Sequence, residues 1–275
     1  METTQVHTPS GSYPILLGQG LRQGVGAFLR DCLGKRPLAL ITDRNLAKMW
    51  LQPLYEALAR DYGLKPKVIT VPAGEKAKKL SVYAQAIEKL LYFGADRSWG
   101  LIAFGGGVVG DLSGFVAATY QRGLPFVMIP TTLLADVDAS VGGKVAIDFK
   151  KAKNAIGAFW QPSGVLIDTD YLDTLPPREY LAGLAEVLKY GIIQDDRFFE
   201  FVASNAPRLV DKDPQVLLRA IHESLLYKKA VVEKDEKEAN LRAILNFGHT
   251  FGHAFEAHTH YRTFLHGEAV ALGMV

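Results

Sequence analysis

Between Leu38 and Asp168, short apolar runs alternate with longer stretches of helical periodicity, and this alternation leaves few folds open. Leu38 to Thr42, Lys67 to Val71, Trp99 to Phe104, Pro125 to Ile129 and Val165 to Asp168 read as strands. Asn45 to Asp61, Leu80 to Phe93 and Val108 to Tyr120 read as the helices between them. Strands separated by helices pair in parallel through crossovers rather than as hairpins, so the expected fold is a doubly wound, mostly parallel α/β sheet of Rossmann-like design.

Beyond Asp168 the pattern turns helical. Pro176-Pro177 opens a segment whose apolar positions recur at helical spacing through Ile193. Further helices are expected over Asp196 to Asn205, Pro214 to Glu236, Arg242 to His258 and from His266 onward. This predicts an α/β N-terminal domain, residues 1–172, followed by an all-α C-terminal domain, residues 173–275, with the boundary between Asp168 and Pro177. The last residues form an apolar helical run without a cap or stop signal, so the helical domain is expected to be incomplete at its C-terminus.

Composition narrows the function classes. A net charge of +2 over 275 residues carries no global footprint for nucleic acid. No apolar run reaches the ~18 residues of a membrane span, and the polar start from Met1 to Pro14 lacks a signal core. The single cysteine, Cys32, excludes a disulfide framework and a cysteine-based zinc site and reads as a plain thiol. A cytoplasmic enzyme is the expectation.

Three loops follow expected strand ends, where open α/β sheets bind ligands. The stretch Gly105-Gly106-Gly107-Val108-Val109-Gly110-Asp111 runs from strand to helix, giving a phosphate access to backbone N–H groups and a helix dipole. A tight structural turn would read the same way. Asp43 can accept hydrogen bonds from a ribose or cap the helix that follows. Gly74-Glu75-Lys76-Ala77-Lys78 is the third loop. Between the halves, Asp138 to Lys144 and Lys153 to Gly157 place lysines beside small residues. With Arg122, Lys228 and Arg242 they suit a phosphate or carboxylate ligand, although each charge alone reads equally well as a solvated surface group.

Five of the seven histidines lie between His249 and His266. His249 and His253 share a helical face, and His266 follows in His266-Gly267-Glu268. Neutral imidazoles suit zinc, and Glu186 is the best carboxylate to join them, because it sits in an otherwise apolar helical stretch where an unpaired charge is costly. Spacing pairs His249 with His253 and does not settle which imidazole binds an ion and which moves protons. His258 and His260 carry no pattern and are expected to face solvent.

Seven stretches then match one family: GEKAK at 74–78, FGGGVVGDLSGFVAATYQRG at 104–123, IPTTLLADVDASVGGK at 129–144, KNAIGAFWQP at 153–162, AGLAEVLKYG at 182–191, LRAILNFGHTFGHAFE at 241–256 and HGEAVALGM at 266–274. From Tyr13 onward the chain resembles the 3-dehydroquinate synthases, a family of sugar-phosphate cyclases. The resemblance implies conversion of 3-deoxy-D-arabino-heptulosonate 7-phosphate to 3-dehydroquinate and phosphate. Catalytic NAD, Zn2+ or Co2+, and a homodimer are implied with it. It implies Glu186, His249 and His266 as metal ligands and His253 and Glu238 as acid/base residues. Substrate contacts fall on Asp138, Lys144, Asn154, Lys189, Lys228, Arg242 and Asn246, with Arg122 reaching the partner subunit's site; Lys144, Arg242 and Asn246 are also assigned to catalysis. NAD contacts fall on Asp43, Asn45, Glu75, Lys78, Gly106, Gly107, Val108, Asp111, Thr131, Thr132, Lys144, Lys153 and the turn Tyr171, Leu172, Asp173, Thr174. Two positions depart from the family's pattern: Val145 follows Lys144 where a Thr is usual, and Ala182 replaces a frequent Asn. The competing expectations are a cyclase for another sugar phosphate and a metal-dependent alcohol or glycerol dehydrogenase of the same fold.

Overall fold

The structure is a computed structural model that describes residues 1–61, 63, 65–150, 152–259 and 263–275; His260 of the sequence reading lies outside the described residues. The chain divides into two compact units, one of residues 1–131 and 142–170, the other of residues 132–141 and 171–275. The second unit thus begins at Tyr171 and also takes the excursion Thr132–Val141, whereas the sequence reading drew one boundary at 172/173.

The first unit is a seven-stranded sheet in the order β1-β2-β9-β6-β5-β3-β4. Its strands are β1 (Glu2–Thr8), β2 (Gly11–Gly18), β3 (Leu38–Asp43), β4 (Lys67–Val71), β5 (Gly100–Gly105), β6 (Phe126–Pro130) and β9 (Gly164–Asp168). All neighbours pair in parallel except β1 and β2. Every residue of β5, β6 and β9 is buried, as expected for strands covered on both faces. The connecting helices are α1 (Val25–Leu33), α2 (Arg44–Asp61), α3 (Leu80–Tyr92) and α4 (Gly107–Thr119). From β3 the chain moves to β4 on one side and to β5 on the other, so the strand order reverses at the C-terminal ends of β3 and β5. That switch point is where such sheets take ligands, and it carries Asp43 and the glycine loop.

Two hairpins were not anticipated. β1 and β2 add an antiparallel edge, and Tyr13, Ile15 and Leu17 of β2 bury every second side chain. β7 (Lys144–Phe149) and β8 (Ala152–Phe159) form a separate two-stranded sheet out of the stretch read as anion-binding loops. Gly114 of α4 lets this hairpin approach: a Cβ there would meet Val145 Cγ1 at 2.3 Å. The departure from the family's Thr is thus a buried apolar contact.

The second unit is helical. Its helices are α5 (Pro177–Gln194), α6 (Asp196–Ser204), α7 (Ala206–Val210), α8 (Pro214–Lys234), α9 (His249–His258) and α10 (His266–Met274). A π-helical turn, Ala135–Ala139, belongs to it as well. The expected continuous helix from Arg242 to His258 is broken. Leu241–Asn246 is a 3-10 turn, and Gly248, at φ 77°, starts α9 from a left-handed conformation that glycine adopts at little cost. Among the described residues no helix is long and apolar enough to cross a membrane.

Candidate active site

Glycines bring three helices of the second unit to one place. α10 lies against α9 through Gly248, Gly252 and Gly273; a Cβ on Gly273 would meet the Gly248 carbonyl at 2.1 Å. α10 lies equally close to α5, since a Cβ on Gly267 would meet the Ala182 carbonyl oxygen at 1.9 Å. Ala182, the second departure from the family's pattern, is therefore a backbone packing point. At the start of α10, Glu268 accepts the Leu265 N–H at 2.9 Å and takes two hydrogen bonds from Arg178, at 2.6 and 2.7 Å. This brace fixes the first turn, where His266 sits.

Glu186 of α5, His249 of α9 and His266 of α10 consequently converge. Their ligand atoms lie within 4.8 Å of one another. Glu186 Oε1 is 3.7 Å from His249 Nε2 and 3.9 Å from His266 Nε2. Glu186 is 1% exposed; the Lys189 ammonium contacts its Oε2, while Oε1, which faces both imidazoles, has no hydrogen-bond partner. A buried carboxylate oxygen left open between two imidazole nitrogens suits a bound cation. Burial, the Lys189 charge and His266 pull the His249 pKa below the ordinary imidazole value despite Glu186. Burial also disfavours charge on His266, but the Glu256 hydrogen bond and the carboxylates of Glu186, Glu256 and Asp138 outweigh it and raise the pKa. His253, one turn after His249, is exposed, with its ring 5.5 Å from that of His249 and 5.7 Å from that of His266.

A polar cluster in the same unit surrounds Asp138, carried by the π-helical turn. Lys228 of α8 donates to the Asp138 carbonyl and, at 2.7 Å, to its Oδ1. The Tyr190 hydroxyl donates to the same Oδ1 at 3.0 Å. Burial works against ionisation of Asp138, but the charges of Lys228 and Lys189 win and hold its carboxyl far below the usual range. Burial draws Lys228 down to about 8 against the pull of Asp138, and Arg242 and Lys189 press it the same way. Lys189, Lys228 and Arg242 are all buried, and Arg242 donates to the Glu236 carbonyl at 2.6 Å. Asn246 and Glu238 lie farther out, joined by a 2.9 Å hydrogen bond. Glu238 adopts φ 57°, an uncommon conformation for a non-glycine residue.

The first unit holds most of the residues assigned to NAD. No side chain caps α4, whose N-terminus opens from Gly106. Asp43 Oδ1 caps α2, accepting from the N–H groups of Asn45 at 2.8 Å and Leu46 at 3.0 Å, so the capping alternative is realised. Lys78, buried, binds Asp111 at 2.6 Å and also donates to the Asn154 side chain. Lys153 pairs with Glu75 at 3.7 Å. Thr131 donates its N–H to the Gly105 carbonyl at 3.2 Å. Lys144 at the start of β7 and Arg122, at φ 66°, are exposed. Thr132 and the Tyr171–Thr174 turn fall in the second unit. Thr132 Oγ1 there accepts the Ala135 N–H, and Lys212 donates to the Leu172 carbonyl at 2.6 Å.

Glu256 escaped the sequence reading. It is 3% exposed and lies 3.4 Å from His266 Nδ1. Its signal was present: residues 249, 253 and 256 fall on one face of the same helix.

Solved structures place the fold in a class. The chain superposes on a 2-deoxy-scyllo-inosose synthase complexed with carbaglucose-6-phosphate, NAD+ and Co2+ with a TM-score of 0.90, at 27% identity, covering 99% of this chain and 73% of that one. A 2-epi-5-epi-valiolone synthase from Streptomyces hygroscopicus with NAD+ and Zn2+ bound gives a TM-score of 0.86 at 29% identity, over 95% of this chain and 72% of that one. A probable glycerol dehydrogenase from Sinorhizobium meliloti shares the fold alone, at 18% identity and a TM-score of 0.66, with 94% and 74% covered. The fold is that of these cyclising synthases. Within that class, the family models for the 3-dehydroquinate synthase N-terminal and C-terminal regions match residues 68–182 and 183–275. The 3-dehydroquinate synthases of Geobacter metallireducens and Neisseria meningitidis are 48% and 49% identical over 275 residues, all of this chain and 76% of each relative. The chain belongs to the 3-dehydroquinate synthase family.

Proposed function

We propose that the chain converts 3-deoxy-D-arabino-heptulosonate 7-phosphate to 3-dehydroquinate and phosphate, with NAD and a zinc or cobalt ion as cofactors. The observation that carries the reading is a buried carboxylate flanked by two imidazoles in the same unit as three buried cations, Lys189, Lys228 and Arg242. Oxidation of a neutral alcohol needs only the first of these features. A substrate bearing phosphate and carboxylate needs both.

The residues present fit both cofactors. Two imidazoles and one carboxylate whose Oε1 faces them both are the donor set of a catalytic ion with an open coordination position, so Glu186, His249 and His266 would hold it. An α4 N-terminus with no side-chain cap suits a pyrophosphate, with Gly106, Gly107 and Val108 supplying backbone N–H groups. When bound, NAD accepts a hydride from the substrate and the ion polarises the hydroxyl being oxidised. Asp43, Asn45, Glu75, Lys78, Asp111, Thr131, Thr132, Lys144, Lys153 and the Tyr171–Thr174 turn take the remaining NAD contacts in this reading.

The chain's own side chains do the rest. Lys189, Lys228 and Arg242 bind the anionic ends of the substrate. Asp138, kept ionised by Lys228 and Lys189, accepts hydrogen bonds from substrate hydroxyls. Phosphate elimination requires removal of a proton from the carbon beside the oxidised centre. His253 and Glu238 serve that transfer; His253 is exposed and exchanges its proton with water. Asn246 orients Glu238 through their hydrogen bond. Lys144 and Asn154 are further substrate contacts, and Arg122 serves the second subunit of a homodimer. A cytoplasmic location belongs to the same reading.

Incubating the protein with the heptulosonate phosphate, NAD and Co2+ tests this. Inorganic phosphate should appear catalytically with no build-up of NADH. Stoichiometric NADH without phosphate would refute the proposal in favour of a dehydrogenase.

A further inference from the structure

His266 is flanked by carboxylates on both sides of its ring. Nε2 faces Glu186 Oε1 at 3.9 Å, and Nδ1 lies 3.4 Å from Glu256 Oε2. Glu256 is outside the ligand set implied by the family, yet it is one of two buried residues on α9, the other being the helix-contact Gly252. Burying a carboxylate is costly unless its oxygens are engaged, so the position calls for a function or a partner.

A neutral imidazole has one N–H and one lone pair. A carboxylate acceptor at Nδ1 places the hydrogen there, which turns the Nε2 lone pair toward Glu186. It also stops the ring from rotating about its χ2 angle. We propose that Glu256 is a positioning residue that accepts the Nδ1–H of His266 and so presents Nε2 to the ion held with Glu186 and His249. This rests on the metal reading given above.

The geometry offers one rival. His253, Glu256 and His266 form a second grouping with ligand atoms within 4.8 Å, in which Glu256 would bind an ion directly. That arrangement uses Nδ1 of His266 and the Glu256 Oε2 that His253 Nε2 approaches only to 4.0 Å. The first grouping is the better site. Its carboxylate keeps Oε1, the oxygen facing both imidazoles, open, whereas Glu256 Oε2 already accepts from His266. The packing of α9 on α10 through Gly252 fixes Glu256 beside His266, so no rearrangement is needed for it to act.

Titration of the metal-free protein with Co2+, followed by its visible absorption, tests the proposal in wild type, Glu256→Ala, Glu256→Gln and Glu186→Ala. Far-UV circular dichroism and thermal melting report whether each variant is folded. Glu256→Ala should bind one Co2+ per chain with about 10–100-fold weaker affinity and the wild-type band pattern. Glu256→Gln keeps the shape and an acceptor oxygen, and should recover a large part of the lost affinity. Wild-type affinity in both Glu256 variants overturns the proposal. So does a Glu256→Ala spectrum altered in the way Glu186→Ala alters it, because Glu256 would then be a ligand. If Glu186→Ala binds Co2+ as wild type does, the metal reading itself fails, and the proposal with it.

Discussion

Replacing Gly267 by alanine sets two effects of opposite sign against each other. In a helix, alanine is favoured over glycine by roughly 0.5–1 kcal/mol because it restricts the unfolded chain. Against this, the new Cβ would lie 1.9 Å from the Ala182 carbonyl oxygen and 2.6 Å from its carbonyl carbon. Both atoms are backbone, so no side chain can swing away. The two helices must part by about 1.5 Å to reach ordinary van der Waals contact. Overpacking of this kind costs about 1–3 kcal/mol, and a rigid backbone neighbour puts Gly267 at the upper end. The expected net loss is about 2 kcal/mol, which lowers the melting temperature by roughly 4–8 °C. Because His266 precedes this residue on α10 and Glu186 lies one turn beyond Ala182 on α5, the same separation should weaken Co2+ binding about tenfold or more. Thermal melting by circular dichroism and Co2+ titration measure the two consequences. A Gly267→Ala protein as stable as wild type and with wild-type metal affinity would refute the idea that close helix packing assembles the site.

Other expectations follow from the same geometry. The Lys228 pKa is lowered to about 8 from 10.5, so its charge is lost from the folded protein as pH rises through about 8 while the unfolded chain stays protonated. Calorimetry should show phosphate affinity falling above pH ~8 in wild type but not in Lys228→Met, and stability should rise with pH between about 8 and 10.5, where the unfolded chain binds the extra proton. Lys78→Met removes the buried partner of Asp111 and should cost about 1–3 kcal/mol in urea unfolding. Asp111→Asn added to it should cost much less than it does in wild type; strict additivity would show that the pair is not a unit. Burial, with Asp31 nearby, pushes the Cys32 thiol up to about 12, leaving roughly one thiolate in ten thousand at pH ~8. Cys32 should therefore react with a disulfide reagent far more slowly in the folded protein than in urea, and equal rates would contradict this.

The parallel core was legible because strands buried on both faces are continuous apolar runs, and β3 is buried throughout the expected stretch from Leu38 to Thr42. The edge hairpin was not, although Tyr13, Ile15 and Leu17 alternate, because β1 is largely polar and half-exposed. β8 hid for a related reason: it buries no residue fully, so nothing in its sequence distinguishes it from a loop. The break at Gly248 was missed because periodicity is indifferent to a single left-handed residue that realigns the next helix. At the site, histidine spacing located the chemistry but could not divide the labour. His249 and His253 are neighbours on α9, and only the approach of α5 and α10 distinguishes their surroundings. Glu186 was readable as a costly buried charge. Glu256 shares a helical face with His249 and His253, but its burial, which α9 otherwise shows only at Gly252, needed the structure.

Metal retention in three proteins tests the division of labour among the histidines most directly. Wild type, His249→Ala and His253→Ala, loaded with Zn2+ and dialysed, can be assayed for bound metal and for phosphate release. The account predicts that His249→Ala loses the metal, while His253→Ala keeps it and loses turnover. Equal loss of metal from both variants would contradict the account and return the site to the His249–His253 pair that spacing alone suggests.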